Sequence, residues 1–436
     1  MADITFPIVR LVLNNTPVEF SGADILECSI LQECDPISAT LPVGTATVLL
    51  FTTDPRFSIY SDGEFYNALS KNIPVEILVS VDDVMQAMGM FYLDSWEMET
   101  ENTLRFDLID ALGVCANTEY PGSFWTNDTQ IRIIVEDILK QTNITPTWDM
   151  YLTPTTLRGW IPPSSVRDAL QQLCFAAQAR AKPDEQGRIG FSRINLPVQN
   201  PQFPYQAITN AEKTGDQTVM RLLQVTDIEL ISHDYYNLGE EAQMVEEIYS
   251  AWLEPGNYII SYPRPYWKVW GEGVGAVPMF ITTEDGRVIA TEGSGATWGT
   301  AIIATESETF LYSSNHVSIT VDTAGQITLW GYPWLSADRS HRHTNSSDTG
   351  DTLTIDNAML VNSGNAAEVL AKVVEYHNLR YKKTIKLFPK HMTVGNLYGV
   401  ESFRTHKLNG IAERLEIDLT GGYLTTATFV GVEATP

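Results

Sequence analysis

The sequence predicts a mainly β, multidomain protein with additional α+β elements. Three observations lead to this fold class: a length of 436 residues with 44% hydrophobic content, many short runs in which apolar and polar residues alternate, and three segments with helical apolar spacing. At roughly 100 to 200 residues per domain, the chain accommodates two to four domains, each with its own core. We therefore expect a globular protein.

Residues 1–115 predict an all-β domain. Apolar and polar residues alternate from Ile4 to Leu13, and Asn14 and Asn15 supply a turn into a second strand. Asp82 and Asp83 suit a later turn between strands. The remaining β-rich runs are 47–51, 75–81, 90–96 and 103–109.

Residues 116–204 predict a small α+β domain with two amphipathic helices. The first is expected to begin at Asn127 and Asp128, which suit a helix N-cap, and the second follows Ser164 or Ser165. Apolar residues recur at helical spacing in both and define the faces expected to be buried. These residues are Ile131, Ile134, Val135, Ile138 and Leu139 in the first helix, and Val166, Ala169, Leu170, Leu173, Cys174 and Ala177 in the second.

Two further regions complete the predicted organisation. Residues 236–354 predict an inserted, aromatic-rich β domain that ends in a loop-like tract, 336–351. Residues 205–235 and 355–436 predict another β domain. A third helix from about Ser363 belongs to it, and Val369, Leu370 and Val373 are expected to pack on its sheet.

Charge disfavours stable binding to nucleic acid. Asp and Glu number 54 against 28 Lys and Arg, which gives a net charge of -26. A protein that neutralises phosphates needs a basic surface, so we expect the chain to repel a passing polyanion.

The N-terminus lacks the pattern of a signal peptide, and no apolar run approaches the roughly 18 to 20 residues of a membrane span. We expect a protein that is made in the cytosol or assembled there. The four cysteines form no CxxC pair, and Cys28 and Cys174 lie on apolar periodic faces. Buried structural thiols are favoured over a metal or redox role.

No catalytic, cofactor-binding or metal-binding residue is predicted, and we expect no enzyme. The zinc-protease, nucleophile-elbow, phosphate-loop and dinucleotide motifs are missing from the sequence. A metal could use His341 and His343 with Asp338 and Asp348, although a solvated loop explains them better. Two carboxylate pairs resemble a glycosidase acid and base, but such pairs are common in so acidic a chain: Glu97 with Glu99, and Glu240 with Glu241.

The inserted domain is dense in tryptophan, and three interpretations stay open. Most of these rings could form the core of the domain, which is the favoured interpretation. Exposed rings could instead bury in a protein interface or stack on sugars, because they offer a large area at small entropic cost. The residues are Trp252, Trp267, Trp270, Trp298, Trp330 and Trp334.

Three tracts of the chain resemble the baseplate hub or tail-tip proteins of bacteriophages, a family that includes the hubs of contractile injection systems. The first tract comprises ECDPISATLP at 33–42, GMFYLDSW at 89–96 and FDLIDALG at 106–113. The second comprises IPPSSVRDAL at 161–170, FAA at 175–177 and RIGF at 188–191. The third comprises 366–380, VGNL at 394–397, NGI at 409–411 and EIDLTGGYLT at 416–425.

This resemblance implies a fold and a role. Two β domains per chain would resemble the tail-tube subunit, namely 1–115 and 205–235 with 355–436, so that a homotrimer matches a six-fold tube. The implied function is a structural hub in the virion, at the tail tip or baseplate, assembled in the bacterial cytoplasm. It would cap the distal tail tube and form part of the channel for DNA ejection. The implied partners are the tail tube, distal tail, tape measure and tip or fibre proteins, with no cofactor. The alternative is a tail-associated protein that degrades or binds cell wall or glycan.

Overall fold

The computed structural model describes residues 4–60, 62–81, 84–202, 205–274, 280–282, 288–289, 301–303, 315–321, 324–344, 350–388, 392–402, 406–420 and 422–434. Its strands are β1 (Ile4–Leu13), β2 (Thr16–Ser21), β3 (Ile25–Glu33), β4 (Thr45–Phe51), β5 (Pro74–Val81), β6 (Val84–Thr100), β7 (Thr103–Ile109), β8 (Glu119–Tyr120), β9 (Ser123–Gln130), β10 (Pro146–Trp148), β11 (Thr156–Ile161), β12 (Ser164–Ser165), β13 (Ala179–Pro183), β14 (Ile189–Arg193), β15 (Gln206–Ile208), β16 (Lys213–Arg221), β17 (Val225–Tyr236), β18 (Glu246–Leu253), β19 (Gly256–Ser261), β20 (Tyr266–Val274), β21 (Phe280–Thr282), β22 (Val288–Ile289), β23 (Ala301–Ile303), β24 (His316–Val321), β25 (Gly325–Pro333), β26 (Leu335–Thr344), β27 (Asp351–Ile355), β28 (Tyr381–Leu387), β29 (Leu397–Glu401), β30 (Lys407–Asp418) and β31 (Leu424–Glu433). Its helices are α1 (Ala111–Ala116), α2 (Ile131–Leu139), α3 (Val166–Ala176) and α4 (Ala366–His377). The predicted mainly β fold class is confirmed.

A large sheet built from both ends of the chain dominates the fold. Within the described residues it has thirteen strands, in the order β16-β28-β31-β30-β3-β4-β7-β6-β5-β1-β2, with β29 also on β30 and β15 on β29. Strands β1 to β7 form an N-terminal half, and β15, β16 and β28 to β31 form a C-terminal half. The halves meet at a seam where β3 pairs with β30, from Ser29 opposite Asp418 to Glu33 opposite Arg414.

The two halves of the large sheet share one hydrophobic core. Strands β4 and β7 alternate buried and less buried residues at every position, as expected of a sheet with one covered face. Their inward residues pack with those of the C-terminal half in a single cluster. Members of that cluster from both halves include Val48, Phe106, Ile30, Leu415, Ile417 and Phe429.

The first hairpin was predicted correctly, and its turn has a clear cause. Asn14 and Asn15 join β1 to β2 with φ of 48° and 62°. Two consecutive residues at positive φ match the twist of a two-residue hairpin, and asparagine tolerates this conformation better than most residues. The predicted turn at Asp82 and Asp83 lies outside the described residues.

Helices α1, α2 and α3 and strands β8 to β14 form an α+β unit. All five predicted core residues of α2 are buried, and so are those of α3 except Ala177, which is partly buried. The predicted start of α2 was wrong, because residues 123–130 form β9 and pair with β11. Thr129 and Gln130, which the first turn of a helix beginning at Asn127 would have contained, pair instead with Leu157 and Thr156. None of the helices in the described ranges is long and apolar enough to cross a membrane.

Helix α4 packs mainly on a small sheet. The small sheet has the order β26-β17-β27. Val369 and Val373 are buried in the same cluster as α3 and as Ile228 and Leu230 of β17, and Leu370 is only partly buried against it. Val369 and Val373 are thus buried as expected, against a strand that lies within the domain expected for them. The sheet that they cover is mainly that of β17, however, and not that of the strands that follow the helix. The predicted loop at 336–351 was wrong for residues 336–344, since β26 pairs with β17 along ten residues. Residues 345–349 of that tract lie outside the described residues.

Two four-stranded sheets make up the inserted unit. Their orders within the described residues are β18-β25-β20-β23 and β19-β24-β21-β22. Their shared core contains Leu253, Ile260, Tyr262, Tyr266, Val269, Val317, Val321, Ile327 and Leu329.

Candidate functional site

The outward side of the large sheet is the candidate functional surface, and strand alternation creates it. Residues whose neighbours enter the core project from the opposite side of the sheet. At the seam, Glu33 lies opposite Arg414 and Leu31 opposite Glu416. The register from β3 through β4 and β7 to β6 places outward residues of neighbouring strands side by side. Part of this side, including Val430 of β31, packs against the core that contains α3 and α4. The exposed part lies around the seam.

Carboxylates outnumber guanidinium groups on this surface. The guanidinium group of Arg414 lies between two carboxylates. Its Nη1 is 2.7 Å from Oε1 of Glu33, and its Nη2 is 2.5 Å from Oε1 of Glu416. Hydrogen bonding to Glu416 and the charge of Glu33 raise the pKa of Arg414, which stays cationic. The two guanidinium groups near the seam, those of Arg105 and Arg414, both form ion pairs with neighbouring carboxylates. The outward charged residues around the seam are Glu27, Glu33, Glu97, Glu99, Asp107, Glu416 and Asp418, with Arg105 and Arg414.

The main path of the large sheet ends in two edge strands, β2 and β16, and β15 is a further edge beside β29. Among the described strands, β2 pairs only with β1 and β16 only with β28. Edge strands present unpaired backbone groups that can pair with another chain. Strand β16 also exposes Val219 and Met220, and Leu223 follows it, 84% exposed. This end of the sheet thus combines free backbone groups with apolar side chains.

A cavity of about 580 Å³ lies between the large sheet and the α+β unit. Buried Arg180 of β13 crosses it and donates to the carbonyl oxygen of Gly395. Gly395 has a φ of +76°, and a Cβ there would overlap the guanidinium group. Arg180 therefore fastens the two units together. This contact could not be predicted from local sequence patterns, because its two partners lie 215 positions apart in the chain.

Asp110 is a second residue that the sequence analysis missed, although its position directly before a helix is an N-cap signal. Its carboxylate accepts from the amides of Gly113 in α1 and Gly44 before β4, at 3.0 and 2.7 Å. Burial raises the pKa of Asp110 to about 7, against the effect of these amides. The residue links the large sheet to the α+β unit.

Two of the residues considered for metal binding, His341 and Asp338, have other partners. The Nε2 of His341 lies 3.0 Å from the hydroxyl of Ser232, and Asp338 lies 2.8 Å from Nδ1 of His233. His343 is exposed, and Asp348 lies outside the described residues. Across the described ranges, no three His, Cys, Asp or Glu side chains are grouped to hold a metal ion.

The two carboxylate pairs lie on the surface. Glu97 and Glu99 are exposed on β6, with Glu99 3.6 Å from Arg105. Glu240 pairs with Lys268 at 2.5 Å. In each pair, one carboxylate therefore forms an ion pair with a neighbouring cation.

The favoured interpretation of the tryptophans was wrong for those whose side chains are described. Trp252 is 62% exposed. Trp267, Trp330 and Trp334 are partly buried and lie outside the core cluster of the inserted unit. Trp298, and the side chain of Trp270, fall outside the described residues.

Burial of the cysteines follows the sequence prediction. Cys28, Cys115 and Cys174 are buried as free thiols, and Cys34 is partly buried. Burial raises the pKa of Cys28 and of Cys115 to about 12. These two thiols therefore stay protonated near neutral pH.

No protein-family model matches the chain, and no curated protein sequence matches it. Solved structures do match. The tail protein from Neisseria meningitidis MC58 has a TM-score of 0.53 at 7% identity, covering 97% of this chain and 96% of that one. A 43 kDa tail protein of prophage MuSo2 from Shewanella oneidensis has a TM-score of 0.47 at 9% identity, covering 98% of each chain. A prophage tail protein from Listeria monocytogenes EGD-e has a TM-score of 0.49 at 7% identity, covering 99% and 96%. The chain has the fold of the Neisseria tail protein along nearly its whole length, so the tail-protein fold expected from the sequence is confirmed.

Proposed function

We propose that this chain is a non-enzymatic structural subunit of a phage-type tail, the baseplate hub or tail-tip protein that caps the distal end of the tail tube in the virion. One observation carries the proposal. In a chain with the fold of a tail protein, two halves of a single sheet share one core and bring their outward charged residues together around the seam. If each half of the sheet corresponds to one tube-like domain, then a ring of three chains presents six such domains. A ring of this kind would match a six-fold tube.

The domain assignment belongs to the same proposal. We assign residues 1–115 to the first tube-like domain and 205–235 with 355–436 to the second. Residues 116–204 form the helix-plus-hairpin domain between them, and 236–354 the inserted domain. The two halves of the large sheet lie within the two proposed tube-like domains.

The acidic outward surface supports a role in conducting DNA. If the channel wall were rich in lysine, many phosphate contacts would have to break as the DNA moved, and ejection would be slow. Carboxylates repel the duplex and keep it from binding to the wall. Around the seam the acids outnumber the arginines, in line with the net charge of -26. We propose that this surface contributes to the channel wall.

Edge strands β2 and β16 support assembly as a homotrimer. In a ring, the β16 edge of one copy would meet a different surface of the next copy, and three such contacts would close. Burying the edge would also cover Val219 and Met220. The proposed neighbours in the tail are the tube, distal tail, tape measure and tip or fibre proteins, after assembly in the host cytoplasm.

Electron microscopy of the concentrated protein tests this proposal. We expect three-fold rings with a central channel. Met220→Glu places a charge on the β16 edge, where Met220 is 61% exposed, and should reduce the fraction of rings. Met244→Glu makes the same change at an 85% exposed site in the inserted unit and serves as the control. Separate single particles at every concentration, or equal ring fractions for both variants, would contradict the proposal.

A further inference from the structure

The inserted unit has an outward surface that the proposed hub role does not use. It is the side of sheet β18-β25-β20 that faces away from the core. Along β25, Ile327 and Leu329 are buried in the core, while Gln326, Thr328, Trp330 and Tyr332 alternate with them. The alternation therefore places these four residues on one outward side.

The pairing of β18 with β25 places another aromatic side chain, that of Trp252, on this side. Trp252 of β18 lies directly opposite Gln326, on the same side of the sheet. Trp330 is four residues further along β25, so the two tryptophans are separated by roughly 13 Å along the strand direction. Trp252 is 62% exposed, an unusual position for so large an apolar side chain.

A row of neutral hydrogen-bonding groups lies between the two tryptophans. The amide of Gln326 donates to the hydroxyl of Ser250 at 2.9 Å, and that hydroxyl lies 3.1 Å from the hydroxyl of Thr328. Ser250 pairs with Thr328 across the strands. Amide and hydroxyl groups keep further donor and acceptor capacity after these bonds are formed.

Contacts within the sheet fix the far end of the surface. Tyr332 stacks on Trp267, with ring centroids 5.2 Å apart and planes 21° apart. The indole Nε1 of Trp267 donates to Gln243 at 3.2 Å. Lys268 is neutralised by Glu240 at 2.5 Å. The rings are therefore held in place, and the adjacent cation is already paired.

We propose that this surface binds a neutral glycan. A pyranose ring has apolar C–H faces that stack on aromatic rings, and hydroxyl groups at its edge that need neutral donors and acceptors. Tryptophans separated by amide and hydroxyl groups offer both kinds of contact. A protein partner would favour a continuous apolar patch over rings divided by a polar row. Acidic polysaccharides are disfavoured by the net charge of -26 and by Glu247, which lies opposite Trp330. This inference does not depend on the hub role.

Affinity electrophoresis of the full chain in gels that contain mannan, glycogen or hydroxyethylcellulose, together with titration by chitohexaose, tests the proposal. We expect at least one of these four neutral probes to bind. Trp252→Ala and Trp330→Ala should each weaken that binding by about tenfold or more, as loss of an anchoring tryptophan commonly does. Ile259→Ala, at a 72% exposed apolar position on β19 of the other sheet, should leave it unchanged.

Two results would overturn the inference. One is the failure of all four probes to bind, or binding that both tryptophan variants retain in full. The other is protection of Trp252 and Trp330 from hydroxyl-radical oxidation in the concentrated protein alone, because a second copy would then cover the surface. Thermal unfolding of each variant shows whether the fold is intact. Trp252→Ala is the decisive variant, since its side chain is largely exposed.

Discussion

Ile30 of β3 lies directly opposite Ile417 of β30, and both side chains are buried where the two halves of the large sheet join. Beside them, Glu33 and Arg414 form an ion pair that is half exposed. Apolar burial and surface charge therefore both act at the seam, and their contributions to the free energy of unfolding should differ.

Ile417→Ala should destabilise the protein by about 2 to 5 kcal/mol, through lost transfer free energy and the cavity left behind. Arg414→Ala should cost about 1 kcal/mol or less, because exposed ion pairs contribute little. Denaturant unfolding of the two variants checks this. Equal costs, or a larger cost for Arg414→Ala, would mean that charge pairing holds the seam.

Two leucines of the α+β core provide a matched comparison. Leu173 of α3 is fully buried, whereas Leu370 of α4 is partly buried against the same cluster. Leu173→Ala should cost about 2 to 5 kcal/mol. Leu370→Ala should cost about 1 to 2 kcal/mol, since less of its area leaves water. Thermal unfolding of both variants measures the two losses of stability. A larger loss for Leu370→Ala than for Leu173→Ala would show that Leu370 is more deeply packed than the structure indicates.

Asp110 should make stability depend on pH. Its pKa in the folded chain is about 7, against an ordinary value of 3.8. The folded chain therefore keeps a proton that the unfolded chain releases, and this contribution is full below about pH 4 and is lost as pH rises through 7. For one proton the slope is at most about 1.4 kcal/mol per pH unit.

Asp110→Asn removes this titration while keeping most of the side chain's shape. The free energy of unfolding of the natural chain, relative to the variant, should fall between pH 4 and 7. Other acids titrate in both proteins and cancel in the difference. A difference that is constant would show that the amides of Gly44 and Gly113 balance the effect of burial on the pKa. A difference that grows with pH would show that the amides outweigh burial. Either result would contradict the prediction.

We predict that the chain hydrolyses no glycan, even where it binds one. Purified protein incubated with peptidoglycan and with chitohexaose should release no new reducing ends. The carboxylates considered for catalysis are exposed, and the histidines considered for metal binding are exposed or hydrogen-bond to a neighbouring side chain. Turnover that disappears on changing Glu97, Glu99, His341 or His343 would contradict this prediction.

Local patterns predicted the parts of the fold that local physics determines. The apolar stripe of α2 and the turn at Asn14 and Asn15 depend on residues close together in the chain, and both were predicted correctly. Strand β26 was missed because residues 336–344 are polar, and their strand conformation depends on pairing with distant β17. The packing of α4 on β17 was not predicted for the same reason, because the two elements are far apart in the sequence.

The candidate surfaces were only partly predictable. The excess of acids is visible in the composition, but its placement across β3, β7 and β30 depends on the register between the two ends of the chain. The tryptophans stood out in the sequence, yet only strand alternation in β25 shows which of them project outward.

The mass of the purified protein in solution tests the central claim most directly. Native mass spectrometry over a range of concentrations should show a species of three times the 48.6 kDa chain, with its share growing as concentration rises. A protein that stays at the mass of one chain at every concentration would contradict the proposal that it forms a trimeric hub.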